Sequence, residues 1–141
     1  MYKNQHNKEM STQSIAQLAS IILYQHRFFP YYTFNIIGGL DEEGKGAVYS
    51  FDPVGSFERE QYRAGGSAAS LIQPLLDSQI GKKNRADAAT LPEYSLADAV
   101  KITKDVFTAA AERDIYTGDF VEIWKITANG VEKELFPLRK D

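Results

Sequence analysis

The sequence predicts an α+β fold in which short antiparallel strands pack with paired helices. Three observations carry this. Short β-branched and aromatic runs are bounded by tight polar turns, the mark of hairpins. Longer stretches repeat apolar residues at helical spacing and fall between the hairpins, which disfavours a parallel doubly wound sheet. Aromatic residues make up 12% of the chain, eight Tyr, eight Phe and Trp124, a composition suited to a sheet-containing core.

The elements follow in order. Residues 1 to 10 are polar and read as a flexible lead or the frayed end of something longer, after which Ser11-Thr12 offers a helix N-cap. Ile15, Leu18, Ala19, Ile22 and Leu23 then recur at helical spacing, so a helix with one buried face is expected, closed by Pro30 because the residue before a proline is pushed toward extended geometry. Tyr31 to Ile37 is aromatic and β-branched and reads as a strand bounded by Gly38-Gly39. Asp41 to Gly46 is a polar turn, and Ala47 to Phe51 the returning strand. Asp52-Pro53-Val54-Gly55 is a second turn, with proline presetting φ and glycine free to take positive φ, and Ser56 to Tyr62 is expected as a third strand.

Gly65-Gly66-Ser67 opens a new regime. Ser67 is placed to cap a helix through Leu71, Ile72, Leu75, Leu76 and Ile80, with Pro74 inside it. Residues 81 to 94 form a polar link, and Ser95 caps a long helix with Leu96, Ala99, Val100, Thr103, Val106, Phe107 and Ala110 on one face, ending near Arg113-Asp114. Phe120 to Ile126 alternates as a half-buried strand does, and Asn129-Gly130 turns it back into Val131 to Leu138.

Composition excludes several classes of function. At 141 residues the chain is sized for one domain. The absence of cysteine removes disulfide scaffolds, thiolate metal sites and thiol nucleophiles. The balance of 16 Lys+Arg against 19 Asp+Glu, net −3, offers no basic stripe for nucleic acid. The longest apolar stretch, Ile15 to Leu23, is broken by Gln17 and Ser20 and is far below the ~18 to 20 residues of a membrane span, and the polar N-terminus does not read as a secretory signal. Protein or small-molecule partners are expected.

Gly39-Leu-Asp-Glu-Glu-Gly-Lys-Gly46 approaches the phosphate-loop pattern, but Gly46 replaces the hydroxyl that would hold magnesium, three carboxylates would repel phosphate, and a strand follows where a helix is needed. It reads as a hairpin turn. His6 and His26 have no ligand spacing, so no metal or cofactor is expected. No G-x-S-x-G elbow is present. The carboxylate pairs at Asp41 to Glu43, Glu58 with Glu60, and Glu112 with Asp114 read as solvated faces. Asp114, expected at a helix C-terminus where the dipole disfavours it, should accept hydrogen bonds from the Tyr116 to Gly118 turn or pair with Arg113 or a neighbouring chain.

Several phrases together carry a resemblance. Gly38-Gly39-Leu40-Asp41, Gly46-Ala-Val-Tyr-Ser-Phe-Asp-Pro-Val-Gly55, Ala64-Gly-Gly-Ser67 and Glu112-Arg-Asp-Ile-Tyr-Thr-Gly118 fall in the order and spacing of the β subunits of the 20S proteasome. Arg27-Phe-Phe-Pro-Tyr-Tyr32 and the ending Leu138-Arg-Lys-Asp141 resemble a non-catalytic member of that ring. The resemblance implies an N-terminal-nucleophile hydrolase fold, a four-layer αββα sandwich. On it, residues 1–141 form a single partial domain expected to begin inside the first long helix. The initial strands, and with them the nucleophilic threonine and its supporting aspartate and lysine, are then expected outside this sequence.

The function implied is a non-catalytic structural subunit that contributes to ring assembly and to ubiquitin-dependent protein degradation, in the cytoplasm and nucleus. No catalytic residue is expected. The partners implied are the other α and β subunits, with peptide substrate met only through a neighbour's active site, and neither nucleic acid nor membrane. The resemblance places Asp52, Pro53 and Ser56 in the lining of that neighbour's substrate pocket. It leaves Gly65, Asp114 and Thr117 as a vestigial site, with Gly65 and Thr117 standing where the family has serines. The rival readings are an active threonine-type endopeptidase subunit, which Met1 argues against, and an isolated fragment that self-associates through unpaired sheet edges.

Overall fold

A computed structural model describes residues 1–140. The elements are α1 (Tyr2–His6), α2 (Thr12–Gln25), β1 (Ile36–Leu40), β2 (Gly46–Phe51), β3 (Phe57–Glu60), α3 (Ala69–Gln79), a 3-10 turn (Ala88–Thr90), α4 (Leu96–Arg113), β4 (Phe120–Thr127) and β5 (Gly130–Pro137). Helices and antiparallel strands mix as an α+β chain should. The described residues fall into two compact units, residues 1–61 with 126–130, and residues 62–125 with 131–140.

The first unit is a three-stranded antiparallel sheet, ordered β1-β2-β3, covered on one face by α2. Period-2 alternation in β2 sends Ala47, Tyr49 and Phe51 to one side, where they are buried with Ala16 and Leu23 of α2. Phe57 stacks on Phe51 with ring centroids 5.2 Å apart. Burying rings of this size contributes on the order of 1.5–3 kcal/mol each, so this cluster holds helix to sheet. Ser11 caps α2 as expected, its side chain accepting from the Ser14 amide at 3.1 Å.

Four expectations for this unit are corrected. The lead is not without structure, since Tyr2–His6 form the short helix α1, closed by Asn7 in the left-handed conformation. The first strand is not Tyr31 to Ile37 but Ile36–Leu40. β2 stops at the Asp52 turn, and its last bond to the first strand is from the Phe51 amide to the Asn35 carbonyl, so residues 31–34 have no partner strand. Their aromatic rings stay exposed, with Tyr32 at 89% and Phe34 at 75%. Gly38 and Gly39 lie inside the strand, paired with Val48 and Ala47. At Gly39 the reason is close approach: a Cβ would come to 2.5 Å of Thr12 Oγ1, which donates to the Leu40 carbonyl at 2.6 Å. Helix α2 ends at Gln25, ahead of Pro30, because His26 turns the chain, its amide bonding to the Leu23 carbonyl and its Nδ1 lying 3.2 Å from the Ile22 carbonyl oxygen. The third strand is shorter than expected and ends at Glu60, where the Arg59 guanidinium, rather than another strand residue, reaches the Gly46 carbonyl at 3.1 Å.

In the second unit α3 packs on α4 through Ala68, Ile72, Leu76, Val106 and Ala110. The β4–β5 hairpin adds Val121, Ile123 and Leu138, and Phe107 touches both clusters. Ser95 and Asp98 form a reciprocal capping box at the start of α4, as their spacing indicates. Glu134 of β5 pairs with Lys104 of α4 and with Lys125 of β4, the latter at 2.8 Å, and the two ammonium groups pull its pKa down to about 2. Pro74 is accommodated in α3. The expectation that Ser67 caps this helix is corrected: the N-cap position is Ala68, with no side-chain cap, because the Ser67 hydroxyl is engaged elsewhere. Among the described residues no helix is long and apolar enough to cross a membrane.

Candidate functional site

Two groups of residues singled out by the sequence are given definite geometry, one in each unit. The first is the turn between β2 and β3. Phe51 pairs with Phe57, leaving Asp52 to Ser56 as the loop. The Asp52 amide bonds to the Ser56 carbonyl at 2.9 Å and the Gly55 amide returns to the Asp52 carbonyl at 3.1 Å, a turn closed by a left-handed residue. Gly55 has φ of +91°, the freedom its place in the sequence calls for. Asp52 Oδ1 accepts from the amides of Val54 at 3.1 Å and Ser56 at 2.8 Å, so one carboxylate oxygen is committed to the backbone. Pro53 fixes the first corner. The Ser56 side chain is exposed, and its hydroxyl makes no hydrogen bond among the described residues.

The turn is fastened from outside by α2. Ser20 Oγ donates to the Gly55 carbonyl at 2.6 Å. A Cβ on Gly55 would collide with the Ser20 carbonyl oxygen and lie 3.2 Å from Leu23 Cβ. Ser20 escaped the sequence reading except as an interruption of an apolar run. The signal was its phase: it stands four residues after Ala16 and three before Leu23, the two buried positions of the helix.

The second group gathers at the C-terminal end of α4. Asp114 is its C-cap residue, with its own amide bonded to the Ala110 carbonyl at 2.8 Å. Its Oδ2 accepts the hydroxyl of Ser67 at 2.6 Å and of Thr117 at 2.7 Å, and its Oδ1 accepts the Tyr116 amide at 3.2 Å. The Ser67 and Thr117 hydroxyls, in that order, hold the carboxyl below its ordinary value against some desolvation. Asp114 and Thr117 are thus brought together, whereas Gly65 has no side chain to offer and the hydroxyl comes from Ser67, two residues on. Sequence reasoning missed Ser67 in this role because a Gly-Gly-Ser before a helix reads equally as an N-cap.

The chemistry open to this cluster is narrow. Both hydroxyls donate into a carboxylate whose pKa is lowered, which makes it a weak base, and among the described residues neither is paired with an imidazole. Of the histidines, His26 is held by Ile22 and Tyr31, and His6 lies tilted against Tyr2 with ring centroids 4.3 Å apart. The arrangement joins the entry of α3 to the exit of α4.

Comparison with known proteins gives the class. The proteasome subunit family matches residues 1–126, and the chain belongs to that family. Within it the similarity is to β subunits. Proteasome subunit beta type-1-B of Carassius auratus is 59% identical over 141 residues, covering 100% of this chain and 59% of the relative. Proteasome subunit beta type-1 of Danio rerio is 56% identical with the same coverage. Proteasome subunit beta type-6 of Saccharomyces cerevisiae is 51% identical over 148 residues, covering 99% of this chain and 61% of the relative. The chain therefore spans about three fifths of the length of the curated relatives it matches.

Proposed function

We propose that this chain acts as a non-catalytic β subunit of the 20S proteasome, working in the cytoplasm and nucleus through contacts with other α and β subunits. The observation that carries this is similarity along the whole chain, at 59% identity, to a proteasome subunit beta type-1 relative. The non-catalytic part rests on the resemblance of Arg27 to Tyr32 and of Leu138 to Asp141 to a non-catalytic member of the ring. In the same reading Asp52, Pro53 and Ser56 line the substrate pocket of an adjacent subunit, and the turn geometry supports it: one oxygen of Asp52 builds the turn, while its other oxygen and the Ser56 hydroxyl take no part in it.

Native mass spectrometry after co-expression with the remaining proteasome subunits tests the assembly reading. The chain is expected in a proteasome-sized particle, and a chain found only outside every complex overturns it. Intact-mass analysis of the particle after treatment with an electrophilic peptide tests the non-catalytic reading. No adduct is expected on this chain, and a covalent adduct on it would favour the active threonine peptidase.

A further inference from the structure

The first unit contains two turns built to one plan. In Asp41–Lys45 the Asp41 amide bonds to the Lys45 carbonyl at 2.8 Å and the Gly44 amide to the Asp41 carbonyl at 3.0 Å. Asp41 Oδ1 accepts the amides of Glu43 and Lys45, both at 2.9 Å, and Gly44 has φ of +78°. Bond for bond this is the Asp52–Ser56 turn, with the same aspartate, the same spacing and the same left-handed glycine. What differs is the attachment. Nothing lies within 4 Å of where a Gly44 Cβ would stand, and Asp41 Oδ2 is taken by the Arg59 guanidinium at 2.9 Å. Gly55 is clamped to α2, and Asp52 Oδ2 has no hydrogen bond or ion pair among the described residues.

The clamp acts on one peptide unit. The Gly55 carbonyl receives the Ser20 hydroxyl, and the amide of that same planar unit, Ser56 N–H, donates to Asp52 Oδ1. Both ends of the plane are held, one by the helix and one by the carboxylate. Rotation of the plane breaks both bonds, turns the Ser56 side chain and leaves the Asp52 carboxylate with only the Val54 amide to orient it. We infer that Ser20 is a positioning residue: through the Gly55–Ser56 peptide it sets the direction in which Asp52 Oδ2 and the Ser56 hydroxyl face a substrate peptide. This rests on the reading that the turn lines a neighbour's pocket, and it adds a determinant on a helix 35 residues away in sequence.

The test uses assembled particles carrying Ser20→Ala, Ser20→Thr or Asp52→Asn in this chain, with KM and kcat measured for each peptide-hydrolysing activity and amide exchange followed at Ser56. Ser20→Ala is expected to raise KM for one activity roughly three- to tenfold at unchanged kcat, the size of one lost hydrogen bond, and to speed exchange at Ser56. Ser20→Thr keeps the hydroxyl and is expected to restore both. If Asp52→Asn shifts KM and Ser20→Ala does not, the inference is overturned and the pocket reading stands. If Asp52→Asn leaves every activity unchanged, or the chain enters no particle, the pocket reading falls and the inference with it. If Ser20→Ala lowers all activities equally, Ser20 is a structural residue only and the inference is overturned.

Discussion

The turns Asp41–Lys45 and Asp52–Ser56 share an Asp-x-x-Gly sequence and a common set of backbone bonds, yet they end in different states. In the first, the glycine stands in open space and the spare carboxylate oxygen is neutralised by Arg59 from the adjacent strand. In the second, the glycine is pressed onto α2 and the spare oxygen is left over. Local sequence decides the shape of a turn, because its bonds close within five residues. Tertiary contact decides whether that shape is rigid and whether its carboxylate is available to anything else.

The largest way to break this contrast is at the glycines. Gly55→Ala forces a side chain into the left-handed region and against the Ser20 carbonyl, so a loss of about 2–4 kcal/mol is expected. Gly44→Ala meets only the backbone strain and should cost about 1 kcal/mol. Urea or thermal unfolding of the two variants compares them, and equal losses would mean that α2 does not clamp the second turn. Next in size is Ser20→Ala, expected to cost about 1 kcal/mol for one hydroxyl–carbonyl bond; the bond from α2 nearest the first turn is that of Thr12 to the Leu40 carbonyl, on the strand side of Asp41.

Two smaller effects are read through pH. Glu134, held between Lys104 and Lys125, has a folded pKa of about 2 against an ordinary 4.5. The depressed value means its stabilisation is complete above about 4.5 and lost as pH falls toward about 2. Glu134→Gln should therefore lower Tm at neutral pH and converge on the parent chain only as pH falls below about 2. Asp41 follows the same sign with a smaller reach, its pKa lowered first by the Arg59 hydrogen bond and then by the Lys45 amide. Its contribution is present above the ordinary value of 3.8 and fades below it, and Arg59→Ala is expected to flatten that part of the acid unfolding curve. An unchanged curve would show that the first turn is no more neutralised than the second.

What could be read from the sequence follows the range of the interactions. The two Asp-x-x-Gly turns, the Ser11 and Ser95 caps and the alternation of β4 were legible because their causes lie within a few residues. The Asp114 bonds from Tyr116 and Thr117 were legible for the same reason. The Ser67–Asp114 bond spans 47 residues and the Ser20–Gly55 bond spans 35, and no local pattern encodes either. The aromatic run at 31–35 has high strand propensity, but the length of β2 allows pairing only from Ile36, so tertiary pairing overrode propensity. Gly38-Gly39 looked like a boundary because a glycine needed for close approach to Thr12 has the same letter as a glycine that ends a strand.

The most direct test of the account sets one turn against the other in the assembled particle. Asp52→Asn and Asp41→Asn are introduced separately, and KM is measured for each peptide-hydrolysing activity. The account predicts that Asp52→Asn shifts KM for a single activity while Asp41→Asn shifts none. If both are silent, or both act alike, the second turn is no more than a second copy of the first.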